Sequence, residues 1–170
     1  FKVNSGEYKL MGLAPYGQPK YAQAILDHLL DLKPDGSSHL DMSYFDVHLA
    51  KRDYVTRKFV ERFGARRERE GPMEQRHCDI TASLQRVTEE AGLDMLGFLH
   101  RATGERRLCL AGGVALNSVM NGRFLREGPF EDIFIQPAAN DAGCALGAAL
   151  HVYYAIAGGR TRRPVDHVYL

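Results

Sequence analysis

Hydrophobic and polar positions alternate along the chain in two different periods. In KYAQAILDHLLDL (20–32) Ile25, Leu26, Leu29 and Leu30 fall on one face, which predicts a short amphipathic helix stopped by Lys33-Pro34. PDGSSHLDMSYF (34–45) places a turn at Asp35-Gly36 before a brief alternating segment, predicting a small hairpin. From about Asp46, the spacing of Val55, Phe59, Val60 and Phe63 predicts a helix that Gly64 ends. The strongest period runs from Asp79, read as an N-cap, through Ile80, Leu84, Val87, Ala91, Phe98 and Ala102 to Thr103-Gly104, and predicts a long central helix.

After residue 104 the texture changes. RLCLA (107–111) reads as a short buried strand, VALNSVMNGRFL (114–125) as a helix, DIFIQ (132–136) as a second strand, and DAGCALGAALHVYYAIAG (141–158) as a last helix. Two strands flanking a helix within about thirty residues make a parallel βαβ unit. The expected fold class is therefore α/β, a small parallel sheet with several packed helices. GEYKLMGLAPYGQP (6–19), dense in Gly and Pro, reads as a structured loop.

Composition narrows the function. At 170 residues the chain is one ordinary domain's worth and needs no disulfides. With 45% hydrophobic and 25% charged residues and a formal net charge of +1, neither nucleic acid nor a membrane surface is the expected partner. Cys78, Cys109 and Cys144 are odd in number and scattered, as reduced cytoplasmic thiols are. No apolar run is long enough to cross a bilayer, and FKVNSGEYK has neither an initiator Met nor a secretory segment, so the chain reads as an internal piece.

Candidate chemistry gathers in three stretches. Ligands of open parallel sheets bind beyond the carboxyl ends of the strands, where both Gly112-Gly113 and Ala138-Ala139-Asn140-Asp141 fall. The first turn removes side chains, so a flat ring or ribose can lie on the backbone, or the glycines simply form a tight turn. Asn117, read as one turn into the following helix, faces a base edge or solvent. In the second turn Asn140 offers an amide and Asp141 a carboxylate that also suits a helix N-cap, worth about 0.5–2 kcal/mol. Gly143 and Gly147 share a helix face. Each costs about 1 kcal/mol against Ala, so a neighbouring helix or a ligand must approach them. The 114–125 helix is the natural neighbour of Gly147, and Gly143 stands where backbone donors face the crevice.

The third stretch combines Gly6, Gly12 and Gly17 with Lys9, which pairs with a phosphate or is a surface lysine. Arg66, Arg67 and Arg69 in ARREREGPMEQR are a solvated charge run or, less favourably, phosphate ligands. Neither a GxGxxG fingerprint nor a P-loop is present, and no CxxC, His i,i+4 pair or GxSxG elbow occurs.

In this order and spacing, KLMGLAPYG, DITASLQ, LAGGVALNSVMNG and PAANDAGCALGAAL resemble the O-carbamoyltransferases of nodulation and antibiotic biosynthesis. More distantly they are similar to tRNA threonylcarbamoyl transferases of the actin-like ATPase superfamily. The resemblance implies that residues 1–170 form one fragment, the second, ribonuclease-H-like half of an actin-like domain. It implies an activity too: carbamoyl phosphate and ATP give a carbamoyl-adenylate on a separate domain, and the actin-like domain passes the carbamoyl group to a hydroxyl of a sugar or natural-product acceptor.

By the same resemblance Gly112, Gly113 and Asn117 line an adenosine pocket, and Gly12 and Gly17 border ribose and phosphate. Asp141 becomes a carboxylate ligand of a catalytic metal, typically iron. A histidine pair and another aspartate complete that site from an upstream half, so the isolated fragment is expected to be inactive and to depend on the remaining domains of its polypeptide. Two alternatives stay open: a sugar or acid kinase of the same superfamily, and a non-catalytic nucleotide-sensing or assembly domain.

Overall fold

The structure, a computed structural model, describes residues 6–47, 54–68 and 70–161. The chain divides into two compact units, Phe1–Thr103 and Gly104–Leu170, each described by itself.

Unit 1 is organised on one long helix. Helix α1 (Glu7–Leu13) runs into a 3₁₀ turn at Ala14–Tyr16, followed by α2 (Ala22–His28), β1 (Leu30–Leu32), β2 (Ser38–Leu40), a 3₁₀ turn at Met42–Tyr44, α3 (Arg57–Phe63) and α4 (Gln75–Thr103). The structured loop expected at 6–19 is thus largely helical. EYKLMGL carries good helix formers with one glycine, and Pro15 sits early in the 3₁₀ turn, where its missing N–H costs nothing.

The helix expected over residues 20–32 stops at His28, because Leu30–Leu32 pair antiparallel with Ser38–Leu40, Leu30 opposite Leu40. The hairpin turn is where the Asp-Gly pair placed it. Gly36 has φ +77°, and the Asp35 carboxylate accepts from the Ser37 N–H at 3.0 Å. Val55 lies outside α3, in an isolated bridge with Phe45. Gly64 at φ +88° ends α3. Residues 48–53 and Arg69 fall outside the described residues.

Helix α4 begins one turn before Asp79, so Asp79 is a buried interior residue and not the N-cap. The helix ends where expected, before Gly104 at φ +67°. Leu84 and Phe98, placed on the buried face by the period, are about two-fifths exposed. The covered positions are largely smaller and more polar ones: Cys78, Asp79, Thr81, Ala82, Ser83, Val87 and Leu96. Val87 joins Ile25, Leu29, Tyr44 and Phe63 in the core of the unit, with Phe59 and Phe63 ring centroids 4.8 Å apart.

Unit 2 is the βαβ element. Strands β3 (Arg107–Leu110) and β4 (Asp132–Ile135) pair in parallel, Arg107 opposite Asp132 and Leu110 opposite Ile135. They are connected by a 3₁₀ turn at Gly113–Leu116 and α5 (Ser118–Glu127). Leu108, Ala115, Met120, Phe124, Phe130 and Ala139 are buried. Helix α6 (Gly143–His151) continues into a π turn at Val152–Ile156. The mixed α/β class expected from the pattern is present. Among the described residues no helix is long and apolar enough to cross a membrane.

Candidate functional site

The turns after β3 and β4 meet. Ile135 ends β4 in register with Leu110, so both chains leave the sheet at one rim, and the Gly112 N–H donates to the Ala139 carbonyl at 2.8 Å. Gly112 adopts φ +102°, a conformation open to glycine at little cost, and this turns the chain into the 3₁₀ segment. A Cβ on Gly112 or Gly113 would meet no atom within 4 Å. The two glycines therefore do not make room for a neighbour within the chain. They leave a bare, exposed stretch of backbone at the strand ends.

Around this rim the other predicted residues take different parts. Asn117 is not one turn into a helix but the N-cap of α5. Its Oδ1 accepts from the Met120 N–H at 3.0 Å, and the Asn117 N–H donates to the Val114 carbonyl at 2.9 Å. Asp141 is not an N-cap. Helix α6 starts after Ala142 with no side-chain cap, the Gly143 N–H donates to the Asn140 carbonyl at 2.9 Å, and the Cys144 N–H donates to the Asp141 carbonyl at 3.1 Å. The side chain that serves this turn is Asn140, whose Oδ1 accepts from the Ala142 N–H at 3.3 Å. Among the described residues the Asp141 carboxylate has no hydrogen bond or ion pair, and the residue is exposed.

Gly143 is explained within the turn, since a Cβ there would lie 2.3 Å from the Ala138 carbonyl oxygen. Its N–H is already committed to Asn140, so the free backbone donor expected at this point is not there. Gly147 is different. A Cβ on it would meet nothing within 4 Å, so the helix packing expected from α5 is absent among the described residues.

Sequence reasoning missed two amide oxygens in this unit. Asn121 Nδ2 donates to the Ala115 carbonyl at 2.7 Å while its Oδ1 is buried with no partner, and Gln136 Oε1, directly after β4, is also buried and unpaired.

In unit 1 the 6–21 segment is held from one side. Gly17 is required by contact, since a Cβ would fall 2.0 Å from the Cys78 carbonyl oxygen. Asp79 Oδ1 accepts from the Gln18 N–H at 2.9 Å and from Gln75 Nε2 at 2.9 Å, while Oδ2 takes Lys20 Nζ at 3.0 Å. These bonds, the one from Gln75 foremost, hold the Asp79 pKa down at about 2. The face turned outward is bare. Gly12 has open space where a Cβ would be, Lys9 is exposed with its ammonium 5.7 Å from the Tyr8 ring centroid, and Tyr16 is exposed. Of the charge run, Arg67 donates to the Gly71 carbonyl at 2.6 Å.

A metal is another matter. Among the described residues no three His, Cys, Asp or Glu side chains stand together. Asp141 alone does not make a metal site, and the residues present do not fit one.

A parallel βαβ unit whose side-chain-free turn meets an acid-bearing turn at the strand ends defines a mixed α/β protein. Comparison with known proteins then gives the family. The chain belongs to the carbamoyltransferase N-terminus family, whose model matches residues 1–150. It is 57% identical over 155 residues to an uncharacterized protein of Synechocystis sp., covering 91% of this chain and 25% of that protein. It is 42% identical to nodulation protein NolO of Bradyrhizobium diazoefficiens, covering 96% of this chain and 28% of the relative. Nodulation protein NolNO of Sinorhizobium fredii is 39% identical over 96% of this chain and 22% of its own length. The chain thus spans about a quarter of the length of these relatives.

Proposed function

We propose that the protein carrying this chain transfers a carbamoyl group from a carbamoyl-adenylate, made from carbamoyl phosphate and ATP, to a hydroxyl of a sugar or natural-product acceptor. Unit 2 supplies the floor on which the adenosine lies. The observation that carries this reading is the Gly112 to Ala139 hydrogen bond, which joins the bare turn and the acid-bearing turn at one strand-end rim. Family membership supports carbamoyl transfer as the chemistry.

In the transfer step the acceptor hydroxyl oxygen attacks the carbamoyl carbon. A new C–O bond forms, the bond from that carbon to the phosphate oxygen breaks with its electron pair leaving on AMP, and the hydroxyl proton passes to solvent water. AMP is a good leaving group because its phosphate spreads the charge it receives. Gly112 and Gly113 let the purine or ribose lie flat on the backbone, which pre-orients the reacting carbon. Asn117 and Asn140 border that floor while holding their own turns, and Gly143 lets the Ala138 carbonyl close the second turn. In unit 1, Gly17 seats the 6–21 segment on α4, and Lys9 and Gly12 lie on the exposed side of that segment. Asp141 contributes a single unengaged carboxylate.

The test is Asp141→Ala in the full-length protein, with carbamoyl transfer and bound iron measured together. The reading expects transfer to fall, since Asp141 carries the exposed carboxylate of the turn that meets the bare backbone. Normal transfer with normal metal content removes Asp141 from the mechanism.

A further inference from the structure

We propose that unit 1 holds a binding site for a zwitterionic α-amino acid with an apolar side chain, in the cleft between the β1–β2 hairpin and the last third of α4. Residues of unit 1 alone form this cleft, so the site stands apart from the carbamoyl-transfer reading.

Leu32 and Pro34 of the hairpin form one wall, and Leu93, Asp94, Gly97 and Arg101 of α4 form the other. The cleft has a volume of about 570 Å³, within the about 300–1,000 Å³ that small-molecule sites occupy. The hairpin wall is fixed in place. A Cβ on Gly36, at its tip, would lie 3.2 Å from Phe98 Cβ and 3.3 Å from Met95 Cα, so the tip is seated on α4. The Gly36 N–H donates to the Lys33 carbonyl at 3.0 Å and the Lys33 N–H donates to the Ser37 carbonyl at 2.9 Å, which closes the turn. On the helix, Leu93, Gly97 and Arg101 are spaced four apart and Asp94 stands three before Gly97, so the four share one face.

Two opposite charges stand on that face without meeting. Arg101 leans back along the helix over Gly97, its Nη1 3.2 Å from where a Gly97 Cβ would be. Glycine inside a helix costs about 1 kcal/mol against Ala, and here it lets the guanidinium lie low in the cleft. Among the described residues neither Arg101 nor Asp94 has a hydrogen bond or ion pair, whereas Lys33 is paired with Asp31. A free guanidinium grips a carboxylate through two parallel bonds, and a free carboxylate accepts from an ammonium. A simple anion would satisfy Arg101 and be repelled by Asp94. A molecule carrying a carboxylate and an ammonium on one carbon satisfies both, with its side chain against Leu32, Pro34 and Leu93.

The experiment titrates L-leucine calorimetrically into the full-length protein and into its Arg101→Gln and Asp94→Asn variants. L-Leucinamide, which lacks the carboxylate, and N-acetyl-L-leucine, which lacks the ammonium, are titrated into the parent. L-Leucine is expected to bind the parent at millimolar concentrations or below, and each variant and each analogue is expected to weaken binding about tenfold, as loss of one charge-assisted hydrogen bond does. Melting temperatures of the variants are expected to match the parent's, because both side chains are exposed and unpartnered among the described residues. No binding of L-leucine by the parent overturns the proposal. Parental affinity in either variant overturns it as well, since the amino acid then sits elsewhere. Either analogue binding as tightly as L-leucine overturns the zwitterion requirement and the proposal with it.

Discussion

At Gly17 the carbonyl of Cys78 occupies the place a side chain would take, and that contact decides what substitution does there. Backbone does not yield as a flexible side chain does. Gly17→Ala is expected to destabilise the protein by about 1–3 kcal/mol, as overpacking does, measurable by denaturant unfolding. Gly143→Ala, facing the Ala138 carbonyl at 2.3 Å, belongs in the same range. Gly12 makes the contrasting case: it meets open space inside α1, so Gly12→Ala is expected to be neutral or stabilising by up to about 1 kcal/mol. Loss of nucleotide binding in a Gly12→Ala variant that unfolds no more easily would mark a ligand's approach. The residues most misread were the acids. Asp79 and Asp141 both fit the pattern of an N-cap, since each precedes an apolar run. Their difference lies in contacts sixty residues away, which no local pattern carries: Asp79 is buried against Gln18 and Lys20, and Asp141 is left exposed.

The elements divide along the same line between local and distant causes. Strands β3 and β4 and the crossover between them were legible, because short apolar runs bounded by glycine and by Pro137 have few other solutions. The β1–β2 hairpin was legible from Asp35-Gly36, but its strand was hidden in the tail of a helical period, since Leu29 and Leu30 satisfy both readings. The face of α4 was misread at Leu84 and Phe98 because a hydrogen-bonded stripe of Gln75, Asp79 and Ser83 takes part of the buried face that apolar residues were expected to fill. That stripe has a pH signature. The Asp79 carboxyl is lowered from an ordinary 3.8 to about 2, so its contribution to stability is fully present above about pH 4 and is lost as pH falls toward 2. Acid titration of the melting temperature is expected to fall more steeply over that window in the parent than in Asp79→Asn. Equal slopes would show that the carboxylate is not held by its partners.

For the molecule as a whole, four short motifs in fixed order were enough to identify the family, which the match over residues 1–150 bears out. Their chemistry was less legible than their kinship. Of the residues assigned to a binding floor, Gly112 and Gly113 keep the bare backbone the reading needs, whereas Gly17 and Gly143 are explained by close contacts within their own units. The relatives are about four times the length of this chain, so the acceptor and the source of the carbamoyl group are to be tested on the full-length protein.

Gly113 offers the most direct trial of the central claim, because its φ is not in the left-handed region and a side chain there would meet open space. Filling it should spare the fold and spoil only what lies on top. In the full-length protein, Gly113→Val is predicted to change unfolding free energy by less than about 1 kcal/mol. It is also predicted to weaken AMP binding at least about tenfold, with carbamoyl transfer falling alongside. A Gly113→Val protein that binds AMP and transfers carbamoyl groups as the parent does would contradict the account.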